Sequence, residues 1–268
     1  MLYSPLPKCY KNMFPFRLST TSYIYPDHIL PNVAMLAPFL DEIELVLFES
    51  KGQDNFPSDD EMKALVDFTL RQEVNFNVHL PIDIFLGDEE EEVRVKGVTI
   101  VKKVMERTLY LKPSIYTLHF DLRNKVGREE TDIETWRKRI TQSIKEIAEY
   151  GIEPSRISIE TLGYPFEWIE DIIRDFSFSI CLDIGHILIQ DQDLRLYLEK
   201  YLANTSIIHL HGFQNGIDHL GIDRLPESPL KLILSSLRNY RGIVSIEVFS
   251  IDDLKRSLIT LEEKWGRE

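Results

Sequence analysis

Short apolar runs alternate with longer amphipathic segments along most of the chain. Each apolar run is about four to eight residues long and is bounded by polar or turn-forming residues, a pattern typical of β-strands. In one run, Ile43, Leu45 and Leu47 alternate with Glu42 and Glu44. The predicted strands are residues 16–22, 42–49, 76–81, 114–120, 156–162, 179–186, 206–212 and 242–249.

The segments between these runs carry the signals of helices. Residues 131–150 place apolar side chains at helical spacing and end at Gly151, and Ser58 precedes acidic residues in the manner of a helix N-cap. Residues 213–227 are predicted to be the longest irregular loop. The predicted helices are residues 28–39, 58–72, 131–150, 165–174, 191–202, 229–240 and 251–265, and one more that follows the acidic run 88–92 and ends near residue 111.

Eight strands that alternate with eight helices predict the fold class. In a chain of 268 residues this count is typical of an α/β protein built as a single (β/α)8 TIM barrel. An open, doubly wound sheet is the alternative, but no glycine-rich phosphate-binding loop supports it. Because no repeat or linker divides the chain, we expect residues 1–13 to be a loose N-terminal leader and residues 14–268 to be one barrel domain.

Composition and charge restrict the classes of partner. The chain is 43% hydrophobic, which is enough for a sizeable core, and its 31 basic and 44 acidic residues give a net charge of −13. A surplus of acidic residues argues against nucleic acid as the main partner, although this net charge is compatible with a local basic patch. Cys9 and Cys181 are too few for a disulfide framework, and residues 1–13 contain no apolar run. We therefore expect a cytoplasmic protein without a membrane anchor.

The run 179–186 carries the first candidate chemistry. Ser179, Cys181 and Asp183 share one face of the predicted strand, and His186 follows at its carboxyl end. Carboxylate and imidazole are the usual ligands of zinc and manganese. The alternative is that Asp183 caps the next turn and His186 lies at the surface.

Other polar side chains sit at comparable positions after the predicted strands. The carboxyl ends of all barrel strands meet at one face, where active sites are built. Six of the seven histidines fall at such positions, and leaving so many buried polar groups unpaired would cost about 1–3 kcal/mol each, which a shared cation offsets. The collected residues are His79, His119, Glu160, Asp183, His186, His209, His211, His219 and Glu247.

Some roles within this set stay open. His209 and His211 share one strand face, so one is expected to be a ligand while the other orients it or contacts substrate. Arg224 is the best-placed cation for a phosphate near the metals, and its alternative is an ordinary surface position. Aromatic residues after strand ends, including Phe85, Tyr164 and Phe249, are mostly expected to be packing residues and together could wall a wide apolar pocket.

These residues resemble the metal site of the xylose isomerase-like barrel superfamily, and in particular its endonuclease IV branch, whose members hold three metal ions. The resemblance implies that Glu160 bridges two ions. It departs from the branch where an aspartate should precede the loop histidine by two residues, because that position is Ile217 and Asp218 is adjacent instead. The implied ligands are His79 and His119 on the first ion, Asp183, His209 and Glu247 on the second, and His186 and His219 on the third.

Longer stretches resemble the cobamide-remodelling phosphodiesterase family within this superfamily. They include Asn77 to Pro81, Cys181 to His186, and His209 to Gly212. The resemblance implies a metal-dependent phosphodiesterase that hydrolyses the nucleotide loop of a cobamide and releases its lower ligand. It also implies two or three zinc, manganese or iron ions, Glu160 beside the attacking hydroxide, and His211 or Arg224 neutralising charge on the substrate.

Three alternatives remain. The first is a sugar or sugar phosphate isomerase or epimerase that uses a single metal, with two glutamates as acid and base. Its metal would be held by Glu160, Asp183, His209 and Glu247. The second is an abasic-site endonuclease, against which the net charge counts, and the third is a binding barrel without catalytic activity.

Overall fold

The computed structural model describes residues 3–47, 56–122 and 132–266 of the chain. Eight parallel strands surround a central core, and two further strands form a separate hairpin. The strands are β1 (Arg17–Thr20), β2 (Glu42–Val46), β3 (Asn75–His79), β4 (Tyr116–Leu118), β5 (Ile157–Glu160), β6 (Ser179–Asp183), β7 (Thr205–Leu210), β8 (Gly212–Gln214), β9 (Ile217–Leu220) and β10 (Ile243–Ile246).

The parallel strands follow one another around a barrel. Their order is β1-β10-β7-β6-β5-β4-β3-β2, so every neighbouring pair follows the chain except where the hairpin intervenes. The two ends of the sheet approach each other, because Thr21 forms a parallel bridge with Glu44 and the Ser22 amide donates to the Glu44 carbonyl at 2.9 Å. The predicted (β/α)8 TIM barrel is confirmed, and the open sheet is wrong.

The helices cover the outside of the strands with their apolar faces. In the helix that follows residues 123–131, Trp136, Ile140 and Ile144 are buried. Ser58 and Glu61 form the reciprocal hydrogen bonds of a capping box at the start of the helix that follows Ser58. The helices are α1 (Ile29–Leu36), α2 (Asp59–Gln72), α3 (Glu91–Thr108), α4 (Ile133–Ala148), α5 (Glu170–Asp175), α6 (Ile184–Ile189), α7 (Leu194–Tyr201), α8 (Glu227–Leu237) and α9 (Ile251–Trp265).

The predicted strand 179–186 is too long. β6 ends at Asp183, and helix α6 begins at the next residue. Oδ1 of Asp183 accepts a hydrogen bond from the His186 amide at 2.6 Å, so this carboxylate caps the helix. The capping alternative is therefore correct for one oxygen of Asp183, while Oδ2 of the same carboxylate is buried and has no hydrogen-bond partner within residues 3–47, 56–122 and 132–266.

The predicted loop 213–227 contains a β-hairpin. β8 and β9 pair in antiparallel fashion around Asn215 and Gly216, whose φ angles are 53° and 78°. An Asn-Gly pair with both residues in the left-handed region is the preferred two-residue hairpin turn. The dipeptide was therefore the sequence signal for this hairpin.

The first described residues pack against the barrel. Leu6 and Tyr10, within the expected leader, are 3% and 1% exposed, and Phe14 is buried as well. The Asn12 amide donates to Asp41 at 2.8 Å. The end of the predicted strand 42–49 lies outside the described residues. None of the helices in the described ranges is long and apolar enough to cross a membrane.

Candidate metal centre

The carboxyl ends of the barrel strands deliver the candidate side chains to one place. His79, Glu160 and Asp183 are the last residues of β3, β5 and β6. Parallel pairing sets Asp183 of β6 directly beside His209 of β7. His119 and Glu247 each lie one residue beyond a strand. The structure thus brings together all eight residues predicted to be metal ligands.

Glu160 lies at the centre of one group of donors. Its Oε2 is 2.9 Å from Nε2 of His119 and 3.2 Å from Nε2 of His79. Nδ1 of His79 donates to the Leu80 carbonyl at 2.9 Å, which leaves the lone pair of a neutral imidazole on Nε2, facing the carboxylate. Two acceptors that face each other in this way need a proton or a cation between them.

His209 and Glu247 form the neighbouring group. Nδ1 of His209 lies 3.2 Å from Oε2 of Glu247 and 3.5 Å from Oε2 of Glu160. On the opposite side of the same ring, Nε2 of His209 donates to Oε1 of Glu44 at 3.0 Å. The two ring nitrogens of His209 therefore both face carboxylates. Nε2 faces Glu44, and Nδ1 faces the space between Glu160 and Glu247.

A third group contains three imidazoles. His211 is fully buried, and its Nε2 lies 3.2 Å from Oδ1 of Asp183. The His219 ring stacks on the His211 ring, and Nε2 of His219 is 3.6 Å from Glu247. Nδ1 of His186 lies 3.3 Å from Oδ2 of Asp183. Asp183 therefore connects this group to the rest of the centre.

The donor set fits a divalent cation. Four buried side-chain atoms in the centre have no hydrogen-bond partner among the described residues, and they are Asp183 Oδ2, His209 Nδ1, His211 Nε2 and Glu247 Oε2. Several triplets of donor atoms lie within 4.8 Å of one another. Imidazole nitrogen with carboxylate oxygen suits zinc, manganese or iron. The triplets include His79 with His119 and Glu160, His79 with His209 and Glu247, Glu160 with Asp183 and His186, and His186 with His211 and His219.

Mutual electrostatics reinforce this arrangement. Burial alone would lower the pKa of His119, but Glu160 and Asp121 raise it to about 10. Burial alone would raise the pKa of Glu160 and of Glu247, but neighbouring imidazoles, chiefly those of His119 and His209, hold both well below the ordinary value. The carboxylates are therefore ionised in an environment that favours positive charge, which a divalent ion supplies.

A cavity of about 730 Å³ opens above the centre. Candidate metal ligands line one part of this cavity, and other polar and apolar residues line the rest. Among the described residues that line it there is no lysine and no arginine. The polar wall residues are Asp83, Asp121, Tyr164, Gln190 and Asp218, and the apolar ones include Ile82, Phe85, Leu122, Leu162 and Phe249.

The two residues predicted to neutralise charge on the substrate, Arg224 and His211, do not line this cavity. Arg224 donates to Oε1 of Gln214 at 2.9 Å and pairs with Asp223 at 3.4 Å, outside the lining. His211 is fully buried beneath the ring of His219 and is also absent from the lining. Any effect of His211 on a bound molecule therefore passes through its neighbours, above all through Asp183.

At the position where the endonuclease IV branch has an aspartate, this chain has Ile217, and the adjacent Asp218 contacts the loop histidine. Ile217 is 60% exposed, and Oδ1 of Asp218 lies 3.0 Å from Nδ1 of His219. Asp218 therefore orients His219 from its other ring nitrogen. Sequence reasoning missed Glu44 and Cys181, which both contact the centre from within the barrel. For Glu44 the signal was an acidic residue in the middle of a buried strand.

A family model described as "Xylose isomerase-like TIM barrel" matches residues 40–267. No curated protein sequence matches the chain. Among solved structures, a D-tagatose 3-epimerase-like protein has a TM-score of 0.77 at 22% identity and covers 94% of this chain and 98% of its own.

Two further solved structures have the same fold. A D-allulose 3-epimerase from Methylomonas sp. in complex with D-allulose gives a TM-score of 0.70 at 12% identity, with 97% of this chain and 99% of the epimerase covered. An IolI protein with a bound zinc atom gives 0.66 at 15% identity, with 94% and 96% covered.

These neighbours overturn the main functional prediction. They include sugar epimerases that match this chain over nearly its whole length, whereas a phosphodiesterase that cleaves the nucleotide loop of cobamides finds no support. The predicted hydrolase activity is therefore wrong, and a corrinoid partner has no support among these structures. The alternative of an isomerase or epimerase agrees better with the structures that this barrel resembles.

Proposed function

This chain belongs to the xylose isomerase-like TIM barrel family, and on that premise we propose that it is a metal-dependent epimerase or isomerase of a sugar. The proposal draws on the sugar epimerases among its structural neighbours and on the donor set at the barrel mouth. A catalytic ion would be held by Glu160, Asp183, His209 and Glu247. The zinc atom of the IolI structure makes zinc one suitable ion.

One observation carries the proposal. Oxygens of Glu160 and Glu247 lie 3.5 Å and 3.2 Å from the same nitrogen, Nδ1 of His209. Their strands, β5 and β10, are separated in the barrel by β6 and β7, so the two carboxylates approach this point from different sides. Two carboxylates on either side of a bound substrate are what a proton transfer between two faces of one carbon requires.

The mechanism follows from that placement. When bound, the divalent ion would polarise the carbonyl of the sugar and make a proton on the neighbouring carbon acidic. One of the two glutamates then takes this proton as its carbon bond breaks, and the electron pair moves towards the carbonyl oxygen. The other glutamate, protonated beforehand from solvent, delivers a proton to the opposite face of the same carbon as the electron pair returns from the carbonyl oxygen, which inverts the carbon. If the proton is delivered to the former carbonyl carbon instead, and the hydroxyl proton of the neighbouring carbon passes to the former carbonyl oxygen as the new carbonyl forms, the sugar is isomerised.

Several histidines hold this machinery in place. His79 and His119 both direct Nε2 at Oε2 of Glu160, and Asp121 lies 3.2 Å from Nδ1 of His119. They fix the orientation of the Glu160 carboxylate. With Glu160 they are also a donor group for a second ion, and His186, His211 and His219 are a group for a third. Elemental analysis of purified protein counts the ions, and a single ion suffices for the proposed reaction.

The cavity favours a neutral sugar over a phosphorylated one. Its described lining carries several carboxylates and imidazoles, and it holds no lysine or arginine that would pair with a phosphate. Apolar residues such as Phe85 and Phe249 offer faces on which a sugar ring packs. We therefore propose neutral ketoses or keto-glycosides as the substrate class.

Proton exchange with solvent tests this function directly. Zinc- or manganese-loaded protein would be incubated in D2O with neutral ketoses, keto-glycosides and their phosphorylated counterparts, and the products followed by NMR. We expect deuterium at the carbon next to the carbonyl and the appearance of an epimer or isomer with neutral substrates. Loaded, folded protein that exchanges no proton of any sugar in the panel would contradict the proposal.

A further inference from the structure

Glu44 is a fully buried carboxylate in the middle of β2. Its Oε1 accepts the hydrogen bond from Nε2 of His209 at 3.0 Å, and its Oε2 accepts one from the Ser245 hydroxyl at 2.5 Å. β2 is not a neighbour of the strands that carry His209 and Ser245, since β1 lies between. The Glu44 side chain therefore reaches across the barrel interior to a residue of the metal centre.

This contact decides which nitrogen of His209 is free. A carboxylate accepts hydrogen bonds and donates none when ionised, so the proton of a neutral His209 lies on Nε2. The lone pair is then on Nδ1, which has no hydrogen-bond partner in the part of the chain that the structure describes and lies between Glu160 and Glu247. A negative charge behind the ring also makes Nδ1 a stronger donor to a metal.

We propose that Glu44 is a positioning residue that sets the tautomer, the orientation and the metal affinity of His209. The inference rests on the proposed function only in taking His209 as a ligand of the catalytic ion. It concerns metal binding and needs no assumption about which sugar is the substrate.

The competing explanation for the hydrogen bonds of Glu44 is that they only stabilise the barrel by connecting its strands. The chain contains a matched control for it in Glu42, two residues earlier on the same strand face and equally buried. Glu42 accepts from Nδ2 of Asn77 at 2.9 Å and pairs with Arg17 at 3.2 Å. Glu42 therefore has comparable polar contacts inside the barrel. Among the described residues, these contacts do not include a candidate metal ligand.

Glu44→Gln and Glu42→Gln in the full-length protein separate the two explanations. Zinc affinity would be measured by competition with a chromophoric chelator, and the cobalt-substituted proteins would be compared by their visible spectra. We expect Glu44→Gln to weaken zinc binding about 10- to 100-fold and to alter the cobalt spectrum. Glu42→Gln should leave both within about twofold of wild type, whatever its effect on thermal stability.

A second measurement covers the case in which Glu44→Gln folds poorly. Ser245→Ala removes only the other hydrogen bond of Glu44, so it should weaken zinc binding by a smaller factor. The ¹⁵N shifts of the His209 ring in zinc-loaded wild type should report a proton on Nε2 and the metal on Nδ1. Equal zinc affinity in Glu44→Gln and wild type, equal losses in both glutamate variants, or a zinc-loaded ring with its proton on Nδ1 would overturn the proposal. Because none of these measurements uses a sugar, a failure to find epimerase activity would leave them interpretable.

Discussion

The imidazole rings of His211 and His219 stack with their centroids 4.3 Å apart and an angle of 12° between their planes. The His219 amide also donates to Nδ1 of His211 at 3.0 Å. His219 belongs to the hairpin strand β9, whereas His211 follows β7 and contacts Asp183 at the end of β6. A stacked pair of histidines therefore connects the hairpin to the start of helix α6.

Gly185 makes this packing feasible. A Cβ atom at this position would lie 2.0 Å from Cε1 of His211, which is far inside van der Waals contact. We predict that Gly185→Ala lowers the free energy of unfolding by about 1–3 kcal/mol and displaces the His211 ring. Urea unfolding and zinc titration measure the two effects. Gly266→Ala is the control, since its nearest neighbour would be 3.6 Å away, and a Gly185→Ala protein as stable as this control would contradict the prediction.

Glu160 is predicted to be indispensable for turnover but not for folding. Glu160→Gln keeps the shape of the side chain and removes a group that accepts and returns a proton. We expect the rate of sugar epimerisation to fall about 100- to 10,000-fold, with a circular dichroism spectrum like that of wild type. Glu199→Gln, at an exposed position of α7, should retain full activity. Near-full turnover by Glu160→Gln would exclude the proposed acid-base role.

Metal removal is predicted to destabilise the barrel. The carboxylates of Glu160, Asp183 and Glu247 are buried close together, and a bound ion offsets their repulsion. At a free zinc concentration about 1,000 times Kd, binding stabilises the folded state by about 4 kcal/mol, so chelation should lower Tm by on the order of 10 °C. Calorimetry with and without chelator measures the shift. His209→Ala should lose most of it and His28→Ala, an exposed histidine outside the centre, should retain it.

The fold, and the gathering of the candidate ligands at one face, could be predicted from the sequence because both depend on short-range patterns. Buried strands and amphipathic helices repeat along the chain, and the carboxyl ends of parallel strands meet at one face. His79, Glu160 and Asp183 therefore come together whatever their separation in sequence. The length of the strand at Asp183 was wrong because an apolar run continues smoothly into helix α6, and only the capping hydrogen bond marks the boundary.

The function could not be predicted in the same way. The same carboxylates and imidazoles suit phosphoryl transfer and proton transfer, so the ligand pattern does not distinguish a hydrolase from an epimerase. Arg224 illustrates the difficulty. Asn215 and Gly216 form the turn of the β8–β9 hairpin, and Gln214 in this hairpin accepts a hydrogen bond from the Arg224 guanidinium away from the cavity. Glu44 shows the converse, because an acidic residue in a buried strand is visible in the sequence, whereas its contact with His209 across the barrel interior is not.

Asp253 gives a prediction about pH, because it anchors the residues that follow the hairpin to helix α9. Its Oδ1 accepts from the Gly221 amide at 3.0 Å, two residues after His219. Burial alone would raise the pKa of Asp253, but hydrogen bonds from Ser250 and Gly221 and the charge of Arg256 lower it below the ordinary value.

A carboxyl whose pKa is lowered by folding stabilises the protein above its unfolded pKa of about 3.9, and this contribution disappears as the pH falls through the folded value. We therefore predict that Asp253→Asn lowers the free energy of unfolding by about 1–2 kcal/mol at pH 7 and at pH 5, and that the difference shrinks towards pH 3. Urea unfolding of both proteins at these three pH values measures it. Asp252→Asn, at an exposed position in the same helical turn, should change stability by about 0.5 kcal/mol or less. A loss in Asp253→Asn that is the same at all three pH values would show that the ionised carboxylate does not anchor the hairpin.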